Sequence, residues 1–140
     1  MKTSRKVMIV DDNREFAQEL KETLVLSGYD VVVFNDGETA LEQVEREDPD
    51  VILLDLKMEG KSGFQVADEM KFRKTTKDIP IIAITGFFTE EQHRELMSIC
   101  GIKACILKPF NPLDVIARIE TIIRLKEDGR LSESGSAMIR

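Results

Sequence analysis

The chain has 140 residues, 42% hydrophobic and 33% charged, with a net charge of −6. That length suits one domain with a single core, and the composition excludes a disordered chain. No apolar run approaches the ~20 residues of a membrane span, and an acidic balance argues against a nucleic-acid surface, which would be basic.

The first apolar run, Lys6-Val7-Met8-Ile9-Val10, stops at Asp11-Asp12-Asn13 and reads as a strand and a turn. Phe16, Ala17, Leu20, Thr23 and Leu24 then recur at helical spacing, and Gly28 is placed to stop that helix. Val31-Val32-Val33-Phe34 is a second strand, Asn35-Asp36-Gly37 a turn, and Ala40, Leu41 and Val44 mark a second helix that ends before Pro49. Val51-Ile52-Leu53-Leu54 reads as a strand buried on both faces and runs straight into Asp55. A flexible loop, Glu59-Gly60-Lys61-Ser62-Gly63, precedes a third helix with Ser62 as its cap and Val66, Ala67 and Met70 on its face. Ile81-Ile82-Ala83-Ile84 ends at Thr85-Gly86, and a fourth helix begins near Thr89, which forms a capping pattern with Glu91 and Gln92. Ala104-Cys105-Ile106-Leu107 is the fifth strand and ends at Lys108-Pro109. The last helix starts near Asn111-Pro112 and carries Val115, Ile116, Ile119, Ile122 and Ile123 on one face.

Strand and helix alternate five times, which implies parallel strands, right-handed crossovers and helices on both faces of the sheet. The expected fold is α/β: a doubly wound, flavodoxin-like (βα)5 sheet of five parallel strands in the order 2-1-3-4-5. Residues 1–126 form one domain, and the Ser- and Gly-rich residues 127–140 are expected to be a poorly ordered tail.

Ligands in such folds bind beyond the carboxyl ends of the strands. The first strand delivers Asp11 and Asp12 there, the third Asp55, the fourth Thr85 and the fifth Lys108; the second, ending in Phe34-Asn35, offers no obvious chemistry. Three crowded carboxylates raise one another's pKa. A hard divalent cation relieves that repulsion, and an all-oxygen set suits Mg2+. A hydroxyl and an ammonium complete a pocket for a phosphoryl group on Asp55, a nucleophile that is ionised at neutral pH.

These residues, in this order and at these strand ends, resemble the receiver domain of two-component response regulators. The resemblance rests on Asp11-Asp12, on Asp55 after its apolar strand, on Thr85-Gly86 and on Lys108-Pro109-Phe110, and it covers roughly residues 6–126. It implies that Asp55 accepts a phosphoryl group from a phosphohistidine on a histidine kinase or phosphotransfer protein. It implies direct Mg2+ ligation by Asp12, Asp55 and the backbone carbonyl of Lys57, with Asp11 acting through water. Lys108 would contact the phosphoryl group, Thr85 would turn toward it to signal to a downstream protein partner, and the Lys108-Pro109 bond would be cis. The chain would then be a phosphoacceptor rather than an enzyme, cytoplasmic, with neither nucleic acid nor membrane as partner. Two cysteines, and an apolar stretch after the basic start that is too short for a signal peptide, fit that location.

Some positions depart from the family pattern. Cys105 stands where many receivers place an aromatic switch residue, and Glu59 where many carry proline. Ile102-Lys103-Ala104 lacks the acidic residue of one common dimer mode. The turns at Thr85-Gly86-Phe87 and Gly101-Ile102-Lys103-Ala104 lean toward receivers attached to hybrid histidine kinases. Cys100 and Cys105 read as small buried core residues, His93 as an exposed surface residue and the acidic stretch 45–50 as solvated surface. Two other functions stay open: a phosphorylation-independent interaction module, and an aspartyl-phosphate phosphohydrolase of the haloacid dehalogenase type. The latter needs a second Asp two residues after the nucleophile, where this chain has Lys57.

Overall fold

The computed structural model describes residues 4–86 and 91–131. Among them strand and helix alternate throughout: β1 (Lys6–Val10), α1 (Arg14–Leu26), β2 (Asp30–Phe34), α2 (Gly37–Glu47), β3 (Val51–Asp55), α3 (Gly63–Lys71), β4 (Ile81–Thr85), α4 (Glu91–Ile99), β5 (Ile102–Leu107) and α5 (Pro112–Glu127). All strand pairings are parallel and the order is β2-β1-β3-β4-β5, as the alternation predicts. No helix among the described residues is long and apolar enough to cross a membrane.

The unbroken apolar strands conceal a period of two. Met8, Ile52, Leu54 and Ala83 face one side, where Leu41 and Val44 of α2, Val66 and Met70 of α3 and Met97 of α4 cover them. Val7, Ile9, Leu53 and Ile82 face the other side, under Leu20 and Leu24 of α1 and Val115, Ile119 and Ile122 of α5. β1, β3 and β4 therefore lie between two apolar layers, and truncating Leu53 to Ala would cost about 2–5 kcal/mol. That rigidity holds the carboxyl ends of three adjacent strands in fixed register.

Helix starts are fixed locally. Asn13, Asp36, Ser62 and Asn111 each accept a backbone N–H of the first turn of the helix that follows, and Ser62 forms a reciprocal capping box with Gln65. Asp36, read from sequence as part of a turn, is thus the cap of α2. The cap expected at Thr89 lies outside the described residues.

Some of the local expectations hold and others need correction. The two glycines before and at the start of α3 differ: Gly60 takes a positive φ of 75° in the loop, whereas a Cβ on Gly63 would lie 2.3 Å from the Asp55 carbonyl oxygen and 2.7 Å from Leu56 Cα. Gly63 is there so that α3 can start directly against the end of β3. β5 begins two residues before the predicted strand, so Lys103 is not in a turn but is the extra residue of a bulge, between the pairs Ile81–Ile102 and Ile82–Ala104, and it is buried. Cys100 is buried, and burial pushes its thiol up. Cys105 is only partly buried and packs at the margin of the core, because β5 is an edge strand. The acidic stretch is not all solvated: Glu47 pairs with Lys6 at 2.7 Å, and Asp50 accepts the Lys6 backbone N–H at 2.8 Å, fastening the start of β1. The Lys108-Pro109 bond is cis. Beyond α5, Leu131 still packs against the core, and residues 132–140 of the expected tail lie outside the described residues.

Candidate functional site

Asp11, Asp12 and Asp55 each present a carboxylate oxygen within 4.8 Å of the others. Register explains it: β1 and β3 are adjacent and pair Val10 with Leu54, so the residues that follow leave the sheet side by side. Asp11 and Asp55 are buried and Asp12 is exposed.

Each carboxylate is held by named donors. Asp11 Oδ1 accepts the Asn13 N–H at 2.9 Å, and its Oδ2 lies 2.9 Å from Lys108 Nζ. Asp55 Oδ1 accepts the Lys57 N–H at 3.2 Å, and its Oδ2 lies 3.9 Å from the same ammonium. Asp12 Oδ2 accepts the Glu59 N–H at 3.2 Å. At this position a proline, which many receivers carry, would have no proton to give.

Burial, then the neighbouring Asp11 charge, pushes Asp55 up to about 6; Lys108 and the Lys57 N–H pull the other way, and Asp12 adds a smaller upward push. The acceptor candidate is therefore mostly ionised at pH 7, but with far less margin than an ordinary carboxylate has.

Lys108 is the hinge of the pocket. Its backbone N–H donates to the Thr85 carbonyl at 2.7 Å, tying the ends of β4 and β5 together. Its ammonium lies 4.0 Å from the centroid of Phe16, whose ring meets Phe110 edge-on at 5.7 Å and 81°. Thr85 is buried at the end of β4. Lys57 is exposed and touches Asp55 through its backbone. The site residues read from the sequence thus converge on one rim.

Three contributors were not legible. Phe16 reads as core in any helical pattern, yet its face carries the Lys108 ammonium. Asn35, at the supposedly silent end of β2, donates its amide to the Asp11 carbonyl at 2.9 Å and accepts from Arg14 at 3.1 Å. The strand-end rule that exposed Asp55 also pointed at Asn35; a neutral amide simply gives no charge signal. Arg14 follows from Asn35 alone.

The donor set fits a hard divalent cation. Three carboxylates supply only oxygen, and among the described residues no sulfur or imidazole joins them.

A family model described as the response regulator receiver domain matches residues 7–120. The alkaline phosphatase synthesis transcriptional regulatory protein PhoP of Bacillus subtilis is 33% identical over 125 residues, which are 89% of this chain and 50% of that protein. The transcriptional regulatory protein CpxR of Escherichia coli is 37% identical over 119 residues, 85% of this chain and 49% of that protein. The chain spans about half the length of the curated relatives it matches. Among solved structures, the chemotaxis protein CheY4 of Vibrio cholerae aligns with a TM-score of 0.81 at 28% identity, over 86% of this chain and 99% of that one.

Proposed function

The chain belongs to the response regulator receiver domain family, and from that premise we propose that Asp55 is its phosphoryl acceptor. The donor is a phosphohistidine on a histidine kinase or phosphotransfer protein. An Asp55 carboxylate oxygen attacks phosphorus, the new O–P bond forms as the P–N bond breaks, and the imidazole nitrogen keeps the electron pair.

The observation that carries this reading is the reach of Lys108, whose one ammonium lies 2.9 Å from Asp11 and 3.9 Å from Asp55. A cation so placed meets a phosphoryl oxygen with little movement once Asp55 is esterified. Asp12, Asp55 and the Lys57 backbone carbonyl would hold Mg2+ directly, with Asp11 acting through water. That cation, when bound, neutralises the crowded carboxylates and draws charge from the phosphoryl oxygens. Thr85 donates its hydroxyl to the phosphoryl group and passes the change into the segment that begins at Gly86.

Asn35 and Phe16 act as positioning residues. Asn35 fixes the Asp11 backbone through the contact to its carbonyl. Phe16 carries the Lys108 ammonium on its ring face.

The test is acetyl phosphate with Mg2+, read by intact mass. One added phosphoryl group, absent from Asp55→Asn, is expected. Sustained phosphate release from small esters would favour the hydrolase, and no modification at all would favour a phosphorylation-independent module.

A further inference from the structure

At the opposite end of the sheet a cavity of about 310 Å3 opens between the end of α3, residues 76–81, the start of β5 and the end of α5. This lies within the ~300–1,000 Å3 range of small-ligand sites. Lys71, Lys77, Lys103 and Lys126 line it, with Asp78 as the one acid, a net of +3 in a chain of net −6. Lys103 is buried in the wall at the β5 bulge, while the other three lysines stand at exposed positions. Like charges gathered at a cleft with low-dielectric walls focus a positive field into it.

Two backbone oxygens at or beside the cavity are already occupied. The Met70 carbonyl at the end of α3 accepts the Thr76 hydroxyl at 2.7 Å, and the Ile99 carbonyl accepts Lys71 Nζ at 2.6 Å. Ile79 and Pro80, with Met70 behind them, give the cavity an apolar wall. The feature is a pocket rather than a stripe, which favours a small molecule over a polynucleotide backbone.

We propose that this lysine-lined cavity binds a nucleoside diphosphate, its phosphates on the lysines and its base on the apolar wall. Two phosphates carrying roughly −3 match the charge of the lining. The site is independent of phosphorylation at Asp55, since no residue is shared between the two.

The probe is ADP, titrated calorimetrically without divalent metal at about 0.15 M ionic strength, with amide shifts recorded in parallel. Saturable binding is expected, with shifts at residues 76–81 and 100–104. Lys77→Glu combined with Lys126→Glu, both at exposed positions, should weaken it about tenfold or more while leaving acetyl phosphate labelling of Asp55 unchanged. Adenosine and pyrophosphate should each bind more weakly than ADP. Failure to saturate in the low millimolar range would overturn the proposal, as would unchanged affinity in the double variant or shifts centred on Asp11, Asp12 and Asp55. Pyrophosphate binding as tightly as ADP would overturn the nucleoside assignment.

Discussion

The two ends of one sheet carry opposite charge, and they are built differently. At the carboxyl ends, three carboxylates crowd together, and the two buried ones, Asp11 and Asp55, lie within reach of the same ammonium. At the amino ends, four lysines line a cavity, and only one of them is buried. The first pole stores repulsion, and the second disperses it into solvent. Electrostatic strain should therefore be a property of the acidic pole, removable by changing a single residue there, and nearly absent at the basic pole.

The largest effect expected is at Asp55. Asp55→Asn should abolish phosphorylation and should also stabilise the metal-free protein. In the fold this carboxyl titrates at about 6, above its unfolded value of about 3.9. A group raised in this way favours the fold while protonated. Its contribution is complete below about pH 4 and is lost as the pH rises through 6, on the order of 2–3 kcal/mol in all. Denaturant melts of parent and variant in a chelating buffer should match near pH 4 and diverge by pH 7, the variant being the more stable. Parallel curves across that range would mean that the pole holds no such strain.

Next in size is Lys108→Ala. It leaves Asp11, 2% exposed, with its Oδ2 unpaired. Phosphorylation by acetyl phosphate should slow by about 10²–10³, and the metal-free protein should lose about 1–3 kcal/mol, largely regained with Mg2+. The matching cut at the other pole, Lys77→Ala, should change stability by no more than about 0.5 kcal/mol. Equal losses from the two lysines would erase the distinction between the poles.

The acidic pole was legible in sequence and the basic pole was not, for a geometric reason. A doubly wound sheet sends the end of each strand to one rim, so Asp11, Asp12, Asp55, Thr85 and Lys108 could be read off as consecutive strand endings. The lysines come from a helix end, a connecting segment, a bulge and a second helix end, with no common spacing. Lys103 is instructive: its burial follows from a bulge in β5, which the apolar pattern from Ala104 to Leu107 does not announce. Asn35 and Phe16 escaped because their contributions are a neutral amide contact and a ring face, and neither residue type singles itself out. The fold was legible almost throughout, since an apolar strand run followed by a helical pattern repeats five times. What the pattern could not show was why Gly63 must be glycine.

Gly63→Ala tests the backbone side of the same pole and should cost about 1–3 kcal/mol. The added Cβ has nowhere to go, with the Asp55 carbonyl at 2.3 Å. Moving it displaces Asp55 itself, so slower phosphorylation should accompany the lost stability. Gly86→Ala is the control, since nothing lies within 4 Å of its added Cβ, and it should stay within about 0.5 kcal/mol of the parent. If Gly63→Ala melts like Gly86→Ala, the end of β3 is not held by that close approach.

The smallest effect concerns the lifetime of the phosphorylated state. Hydrolysis needs a water in line with the Asp55 oxygen–phosphorus bond, and in receivers the residue two past the acceptor flanks that approach. Here it is Lys57, whose backbone already donates to Asp55 Oδ1 at 3.2 Å while the residue stands exposed at the rim. A lysine ammonium carries only donors and cannot accept a proton from the attacking water. The resemblance names the residue two past Thr85 as the other flank; that residue is Phe87, which lies outside the described residues, and a phenyl ring has no group to orient water. Slow self-dephosphorylation is therefore expected, with reset left to a phosphatase or to back-transfer. Lys57→Asn keeps the backbone contact, removes the ammonium and adds a carbonyl that can accept, so decay should quicken several-fold. The measurement is loss of label after the donor is removed, with Mg2+ present. A parent that decays within seconds would contradict the assignment. A variant no faster than its parent would show that the exposed rim of the acidic pole, unlike its buried centre, leaves the chemistry untouched.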